Sequence, residues 1–146
     1  MTRIKNFKGF TLIELLITIM IIGILVTIAT FGLRQAQSSA RDGKRKADLE
    51  EIAIGLELYR SECNRYPAAL GASLVGSAPP ATCTGTYITD VPTDPSPPRA
   101  YAYSTNGPGT SIILCAALEQ APNPAVSTTG CGSCGGSACN WRIARP

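Results

Sequence analysis

The chain has 146 residues, a formal net charge of +3 and six cysteines. Arg3, Lys5 and Lys8 supply all of the net charge, because the remaining residues carry equal numbers of basic and acidic side chains. Bulk charge therefore does not indicate a nucleic-acid-binding protein, and the length allows one domain plus an appendage.

The first predicted element is a long apolar helix. Residues Phe10–Leu33 form a run of 24 residues in which Glu14 is the only charged side chain. As a helix this run would be about 36 Å long, enough to cross a hydrocarbon core of roughly 30 Å. An ordinary secretory signal has a shorter apolar region and a small-residue cleavage site. We therefore predict a retained transmembrane helix over residues 10–33.

The residues at the start of this run read KGFTLIE, from Lys8 to Glu14. They resemble the prepilin cleavage signal shared by type IV pilins and type II secretion pseudopilins. The resemblance implies that a prepilin peptidase removes a leader of residues 1–9 by cutting between Gly9 and Phe10. It also implies that the same enzyme methylates the new amine of Phe10. A glycine before the cut suits an extended backbone in a protease site.

Glu14 lies one helical turn after Phe10, so its carboxylate can pair with the amine that cleavage creates. We expect this assembly salt bridge, within one subunit or between neighbours, to set the axial register of a filament. The alternative is that Glu14 lies near the membrane end and extends its carboxylate to the interface.

Two features depart from the family pattern. Many members carry a proline late in this segment, whereas residues 28–33 have none. Five basic residues follow the span within residues 34–46 and three precede it, so simple counting favours the opposite membrane orientation. The cleavage signal requires the leader on the cytoplasmic side, and we therefore place the head outside the cytoplasm.

Residues 34–66 predict an amphipathic continuation of the helix. Its apolar side chains recur at spacings of three and four, which is typical of a helix face packed on a core; they are Leu49, Ile52, Leu56, Tyr59 and Cys63. Pro67 disfavours a helical Tyr66 and is expected to end the helix.

A basic cluster lies in this segment, at Arg41, Lys44, Arg45 and Lys46. Acidic residues are interleaved with it, so we interpret the cluster as a solvated collar rather than a site for DNA or anionic lipid. Lys46 is also placed to form a weak ion pair with Glu50, one turn along the helix.

Residues 67–146 predict a small β head, and the fold class is therefore α+β, with one long helix packed on a small antiparallel sheet. The expected strands are Tyr87–Val91, a segment around Tyr101 and Tyr103, the most buried strand Ser111–Leu118, and Trp141–Ile143. The PTDP sequence at residues 92–95 and the tyrosines after it resemble the head of the major type II pseudopilin. A pilin-like architecture follows from this resemblance.

Six cysteines follow the apolar run, at Cys63, Cys83, Cys115, Cys131, Cys134 and Cys139. An even number in a small, loop-rich region beyond a membrane segment indicates disulfides in an oxidising compartment, with a pairing that sequence leaves open. Zinc bound through the Cys-x-x-Cys at 131–134 is the alternative. The family often binds calcium near the C-terminus, but residues 130–146 contain no acid, and only Asp90 and Asp94 are candidate ligands.

The chain has no histidine and no glycine-rich phosphate loop, so we predict no enzyme activity, no cofactor and no metal. The resemblance implies a structural subunit of a pilus-like filament or secretion pseudopilus that polymerises with itself. It further implies an inner-membrane assembly platform and its ATPase as partners, and a single-pass inner-membrane protein that later enters a periplasmic or cell-surface filament. The alternatives are a minor, initiating or competence pseudopilin and a monomeric membrane-anchored binding domain.

Overall fold

A computed structural model describes residues 9–77 and 83–146 of the chain. The basic leader residues Arg3, Lys5 and Lys8 lie outside the described residues. The chain divides into two compact units, Met1–Gln37 and Ser38–Pro146. Each unit is described by itself below.

Helix α1 spans Leu12–Cys63, a length of 52 residues, close to the predicted extent. The helix ends at Cys63, before the point at which Pro67 would stop it. Asn64 follows it with φ of 58°, and its amide donates to the carbonyl of Arg60 at 2.8 Å. Asparagine tolerates this left-handed conformation, which is a common way to terminate a helix. Tyr66 is outside the helix, as the proline after it predicts.

The described residues of the head, 67–77 and 83–146, form seven short strands in three antiparallel sheets. They are β1 (Leu74–Val75), β2 (Thr86–Ile88), β3 (Ala102–Thr105), β4 (Ile112–Ala116), β5 (Ser133–Cys134), β6 (Ser137–Ala138) and β7 (Trp141–Arg145). β1 pairs with β2, β5 pairs with β6, and the three-stranded sheet has the order β3-β4-β7. The predicted α+β, pilin-like architecture is confirmed, although the β elements form three sheets rather than one.

The core of the head lies between the second half of α1 and the three-stranded sheet. The predicted apolar face of the helix is buried, from Leu49 to Cys63. The strand predicted to be the most buried is also confirmed: Leu114 of β4 is fully buried. β4 is the central strand of its sheet, and Leu114 is paired with Tyr103 on one side and Ile143 on the other. Gly55 allows α1 to approach β2, because a Cβ there would lie 2.4 Å from the side chain of Ile88.

Three disulfide bonds join the six cysteines: Cys63–Cys83, Cys115–Cys131 and Cys134–Cys139. The first belongs to the main core, and the other two form a second buried cluster with Ala117. Small cores commonly need such covalent support. Because every cysteine sulfur is bonded to another cysteine sulfur, the zinc alternative has no free thiolate in this structure.

Candidate assembly segment and polar cluster of the head

The expected cleavage junction lies immediately before α1. Gly9 and Phe10 are non-helical and exposed. Thr11 then caps the helix: its amide and hydroxyl both donate to the Glu14 carboxylate at 2.8 Å. The amide of Glu14 donates back to the Thr11 hydroxyl at 3.3 Å. These contacts form a capping box.

The capping box gives Glu14 a local role besides the predicted salt bridge, and Thr-x-x-Glu before an apolar run is its sequence signature. A carboxylate bonded to Thr11 is satisfied within its own chain. The salt bridge with the amine of Phe10 stays a prediction and would be a second, separate role, so any experiment on Glu14 has to distinguish it from the cap.

The apolar side chains from Phe10 to Leu33 are exposed in the isolated chain. Their exposed fractions range from 48% at Ile17 to 87% at Phe10. A continuous apolar surface of this size requires a cover of lipid or protein. Within the described ranges, α1 is the one helix long and apolar enough to cross a membrane.

Threonine hydroxyls inside the apolar segment bond to the helix backbone. Thr18 donates to the carbonyl of Leu15, Thr27 to that of Gly23 and Thr30 to that of Thr27, each at 2.8 Å. A hydroxyl without a partner would be costly in hydrocarbon. These local bonds make the segment compatible with lipid or with a dry filament interior.

Arg45 is the centre of a buried ion cluster in the head. Its guanidinium donates to both oxygens of Asp94, at 2.8 and 3.0 Å, and to Asp42 at 2.7 Å and Glu119 at 3.1 Å. The side chain has no exposed surface. These carboxylates raise the pKa of Arg45 above its ordinary value, the hydrogen bond with Asp94 contributing most. The predicted solvated collar is therefore wrong for Arg45.

Arg41 extends the cluster. Its Nε and Nη2 atoms donate to the two carboxylate oxygens of Glu119 at 2.7 and 2.6 Å. This paired geometry, characteristic of arginine with a carboxylate, lowers the pKa of Glu119 to about 2. Asp42 in turn accepts the backbone amides of Glu119 and Gln120 at 2.8 and 2.9 Å. The cluster thus fixes two head loops to the helix.

The other two cations of the predicted collar, Lys44 and Lys46, are exposed as expected. Lys46 does not form the expected pair with Glu50. Its ammonium lies 4.5 Å from the centroid of the Trp141 ring, a cation–π contact, whereas Glu50 pairs with Arg145 at 3.3 Å. The tertiary fold places an aromatic ring and an arginine where helix spacing alone predicted a lysine–glutamate pair.

The two acids considered as calcium candidates differ in their surroundings. Asp94 is buried, and its carboxylate accepts hydrogen bonds from Arg45 and from the amide of Ser96. Asp90 is exposed. A guanidinium therefore already neutralises the first candidate ligand.

Comparison of the sequence with models of known protein families identifies the family of this chain. Residues 4–30 match the prokaryotic N-terminal methylation motif, and residues 33–118, more than half of the chain, match the model of type II secretion system protein G. This chain belongs to the type II secretion system protein G family. No solved structure gives a significant match.

Similarity to individual proteins supports this family assignment. The chain is 30% identical over 98 residues to type II secretion system core protein G of Aeromonas hydrophila, covering 62% of this chain and 68% of the relative. The chain is 29% identical over 113 residues to type II secretion system core protein G of Pseudomonas aeruginosa, covering 71% of this chain and 80% of the relative. It is also 37% identical over 86 residues to the type IV wide pilus major component PilA4 of Thermus thermophilus, covering 58% and 66%. The homologues are thus pseudopilins and pilins, which are structural filament subunits.

Proposed function

We propose that this chain is a prepilin whose mature form polymerises through the apolar helix at residues 10–33 into a secretion pseudopilus or a pilus-like filament. The observation that carries the proposal is the exposed apolar surface of this helix, which begins directly after the Gly9–Phe10 junction. Lipid would cover this surface before assembly, and neighbouring subunits would cover it afterwards.

The proposed organisation has four parts: a leader at residues 1–9, a polymerisation helix at 10–33, an amphipathic helix at 34–66 and a disulfide-containing head at 67–146. A prepilin peptidase would cut between Gly9 and Phe10 and methylate the amine of Phe10. With the leader on the cytoplasmic side, the head and its three disulfides lie in an oxidising compartment. An inner-membrane platform and its ATPase would extract the mature subunit from lipid.

In the proposed mechanism, Glu14 changes its partner during assembly. Before cleavage its carboxylate accepts two hydrogen bonds from Thr11. After cleavage, the Phe10 amine is a cation in an apolar environment. An unpaired charge there costs about 2 to 3 kcal/mol. Pairing with Glu14 of a neighbouring subunit removes this cost only when the two subunits have the correct axial register. A misplaced subunit leaves both the amine and the carboxylate unpaired.

Two substitutions separate the salt bridge from the helix cap. Glutamine at position 14 can still accept the hydrogen bonds of a capping box but cannot neutralise an amine, whereas alanine loses both functions. We expect Glu14→Gln and Glu14→Ala to lower the yield of sheared filaments equally. Normal filaments from Glu14→Gln, with few from Glu14→Ala, would assign Glu14 to the cap and reject the salt bridge.

Intact-mass measurement of the membrane and filament fractions tests processing directly. The proposal requires loss of the first nine residues and the mass of one added methyl group on the mature chain. A filament subunit that retains Met1 would contradict it, and membrane protein that never enters filaments would leave only an anchored head domain.

A further inference from the structure

Each disulfide of the head joins two cysteines that follow one another in the chain. The bonds are Cys63–Cys83, Cys115–Cys131 and Cys134–Cys139. Six cysteines allow many pairings, but a single one of them bonds the first cysteine to the second, the third to the fourth and the fifth to the sixth. The head has this pairing.

The sequence also offers a shorter bond, which the head does not form. Cys131 and Cys134 are three positions apart, and Cys-x-x-Cys pairs form disulfides in thiol oxidoreductases. The cost of closing a loop in an unstructured chain rises with loop length. Random pairing would therefore favour Cys131–Cys134 over Cys115–Cys131, whose cysteines are 16 residues apart. Something other than loop length selects the partner of Cys131.

The folded head does not allow its disulfides to be exchanged. All six cysteines are buried, with exposed fractions from 0% to 9%. Cys115 lies on β4, the central strand between β3 and β7, and Cys134 has no exposed surface. Thiol–disulfide exchange requires an attacking thiolate to reach a sulfur of the disulfide. The partners are therefore chosen before the head folds.

We propose that the head is the substrate of a dithiol oxidase that joins its thiols in the order in which they leave the membrane. This inference rests on the proposed function, which places the head outside the cytoplasm and after the membrane helix. Export then proceeds along the chain from its N-terminal side, so Cys63 emerges first and Cys139 last. Each unpaired thiol is joined to the next one that arrives, and no isomerase takes part.

Each bond forms by two thiol–disulfide exchanges. The thiolate of Cys63 attacks the disulfide of the oxidase, so that a mixed disulfide forms and the sulfur–sulfur bond of the oxidase breaks. The thiolate of Cys83 then attacks the mixed disulfide, which forms Cys63–Cys83 and releases the oxidase as a dithiol. Two electrons pass from the head to the oxidase. The two protons lost by the cysteine thiols balance the two that the oxidase thiolates take up.

The order of arrival accounts for the division of the Cys-x-x-Cys pair. Cys115 is already bonded to the oxidase when Cys131 emerges, so the thiolate of Cys131 resolves that mixed disulfide. Cys134 arrives next, and Cys139 is then the one thiol left to pair with it. The same rule thus gives the second and third bonds of the head.

Removal of one partner tests the order. In Cys83→Ala, made in cells that lack the disulfide isomerase of the cell envelope, Cys63 should be joined to Cys115 in place of the Cys115–Cys131 bond. A digest that cleaves after arginine and glutamate separates Cys63, Cys115 and Cys131 into three peptides. Mass spectrometry of the unreduced digest of whole membranes reads the bonds of folded and unfolded chains alike. Retention of Cys115–Cys131 beside a free Cys63 would overturn the order.

Two matched controls also lose one native bond but keep the order of the thiols that form Cys115–Cys131. The first combines Cys63→Ala with Cys83→Ala, and the second is Cys139→Ala. Both should retain the Cys115–Cys131 bond in the same digest. Loss of that bond in either control would show that a missing disulfide, rather than the order of arrival, causes mispairing.

The unaltered chain separates this inference from the proposed function. Alkylation of the denatured chain should add six labels in cells without the oxidase, and none in normal cells or in cells without the isomerase. Native disulfides without the oxidase, or altered bonds without the isomerase, would overturn the inference and leave membrane orientation and filament assembly intact. Six free thiols in normal cells would instead contradict the placement of the head in an oxidising compartment, on which the proposed function depends.

Discussion

The guanidinium of Arg45 holds the carboxylate of Asp94 through two hydrogen bonds, at 2.8 and 3.0 Å, and neither side chain has exposed surface. The two residues are 49 positions apart, on α1 and on the irregular segment before β3. This pair, together with Asp42 and Glu119, connects the helix to loops that have few apolar side chains of their own. The head therefore depends on buried charge as well as on its apolar core.

Loss of Arg45 should destabilise the head strongly. Arg45→Met leaves Asp94 and Asp42 buried without their cation, and breaking such a pair costs about 3 to 5 kcal/mol. The lone tryptophan, Trp141, reports unfolding of the full chain in detergent by its fluorescence in urea. The matched control is Lys44→Met, at the adjacent exposed position, which should change stability by less than about 0.5 kcal/mol. Equal effects of the two substitutions would contradict the importance of the cluster.

Acid should weaken the head through Glu119. Its hydrogen bond with Arg41 holds the pKa at about 2, below the ordinary value of 4.5. A lowered pKa stabilises the folded state above pH 4.5, and this contribution is lost as the pH falls toward 2. Glu119→Gln removes it at every pH. The difference in urea midpoint between the native chain and Glu119→Gln should therefore be largest at neutral pH and shrink below pH 4.5. A difference independent of pH would exclude this role.

Tyr101 should contribute through its hydroxyl. It donates to the carboxylate of Asp48 at 2.7 Å, and Asp48 is only 7% exposed. Removing the donor with Tyr101→Phe should cost about 1.5 to 3 kcal/mol, because the acceptor is charged and buried. Tyr103 donates to the neutral carbonyl of Pro67 at 2.5 Å, so Tyr103→Phe should cost about 0.5 to 1.5 kcal/mol. A larger loss from Tyr103→Phe in the same urea titration would reverse this assignment.

The sequence predicted those elements that have a long, regular pattern. The repeat from Leu49 to Cys63 placed the buried helix face correctly, and the apolar run around Leu114 identified the most buried strand. The strands β1, β5 and β6 have two residues each, too short for any periodicity, and were not predicted. Their positions depend on tertiary contacts and on the disulfides.

The buried position of Arg45 and the helix cap at Thr11 were not predicted from the sequence, for different reasons. The charged neighbours of Arg45 indicate a surface position, although Arg45 lies four residues before Leu49 and therefore on the buried face of the helix. That signal was available. Its partners Asp94 and Glu119 were not predictable, because they are 49 and 74 residues away in sequence. Thr11 and Glu14 had a readable capping pattern that the membrane interpretation obscured.

The disulfides should differ in their contributions to stability. Cys63–Cys83 closes a loop of 20 residues and joins the end of α1 to the segment before β2, whereas Cys134–Cys139 closes only five. In the chain-entropy account, replacing each pair by alanines should cost about 3 and about 2 kcal/mol, respectively. Cys63 and Cys83 also lie in the main core, so their loss adds a packing cost. Urea titration followed by Trp141 fluorescence measures both variants. A greater loss from the Cys134–Cys139 variant would mean that the glycine-rich tail, rather than the helix end, limits the stability of the head.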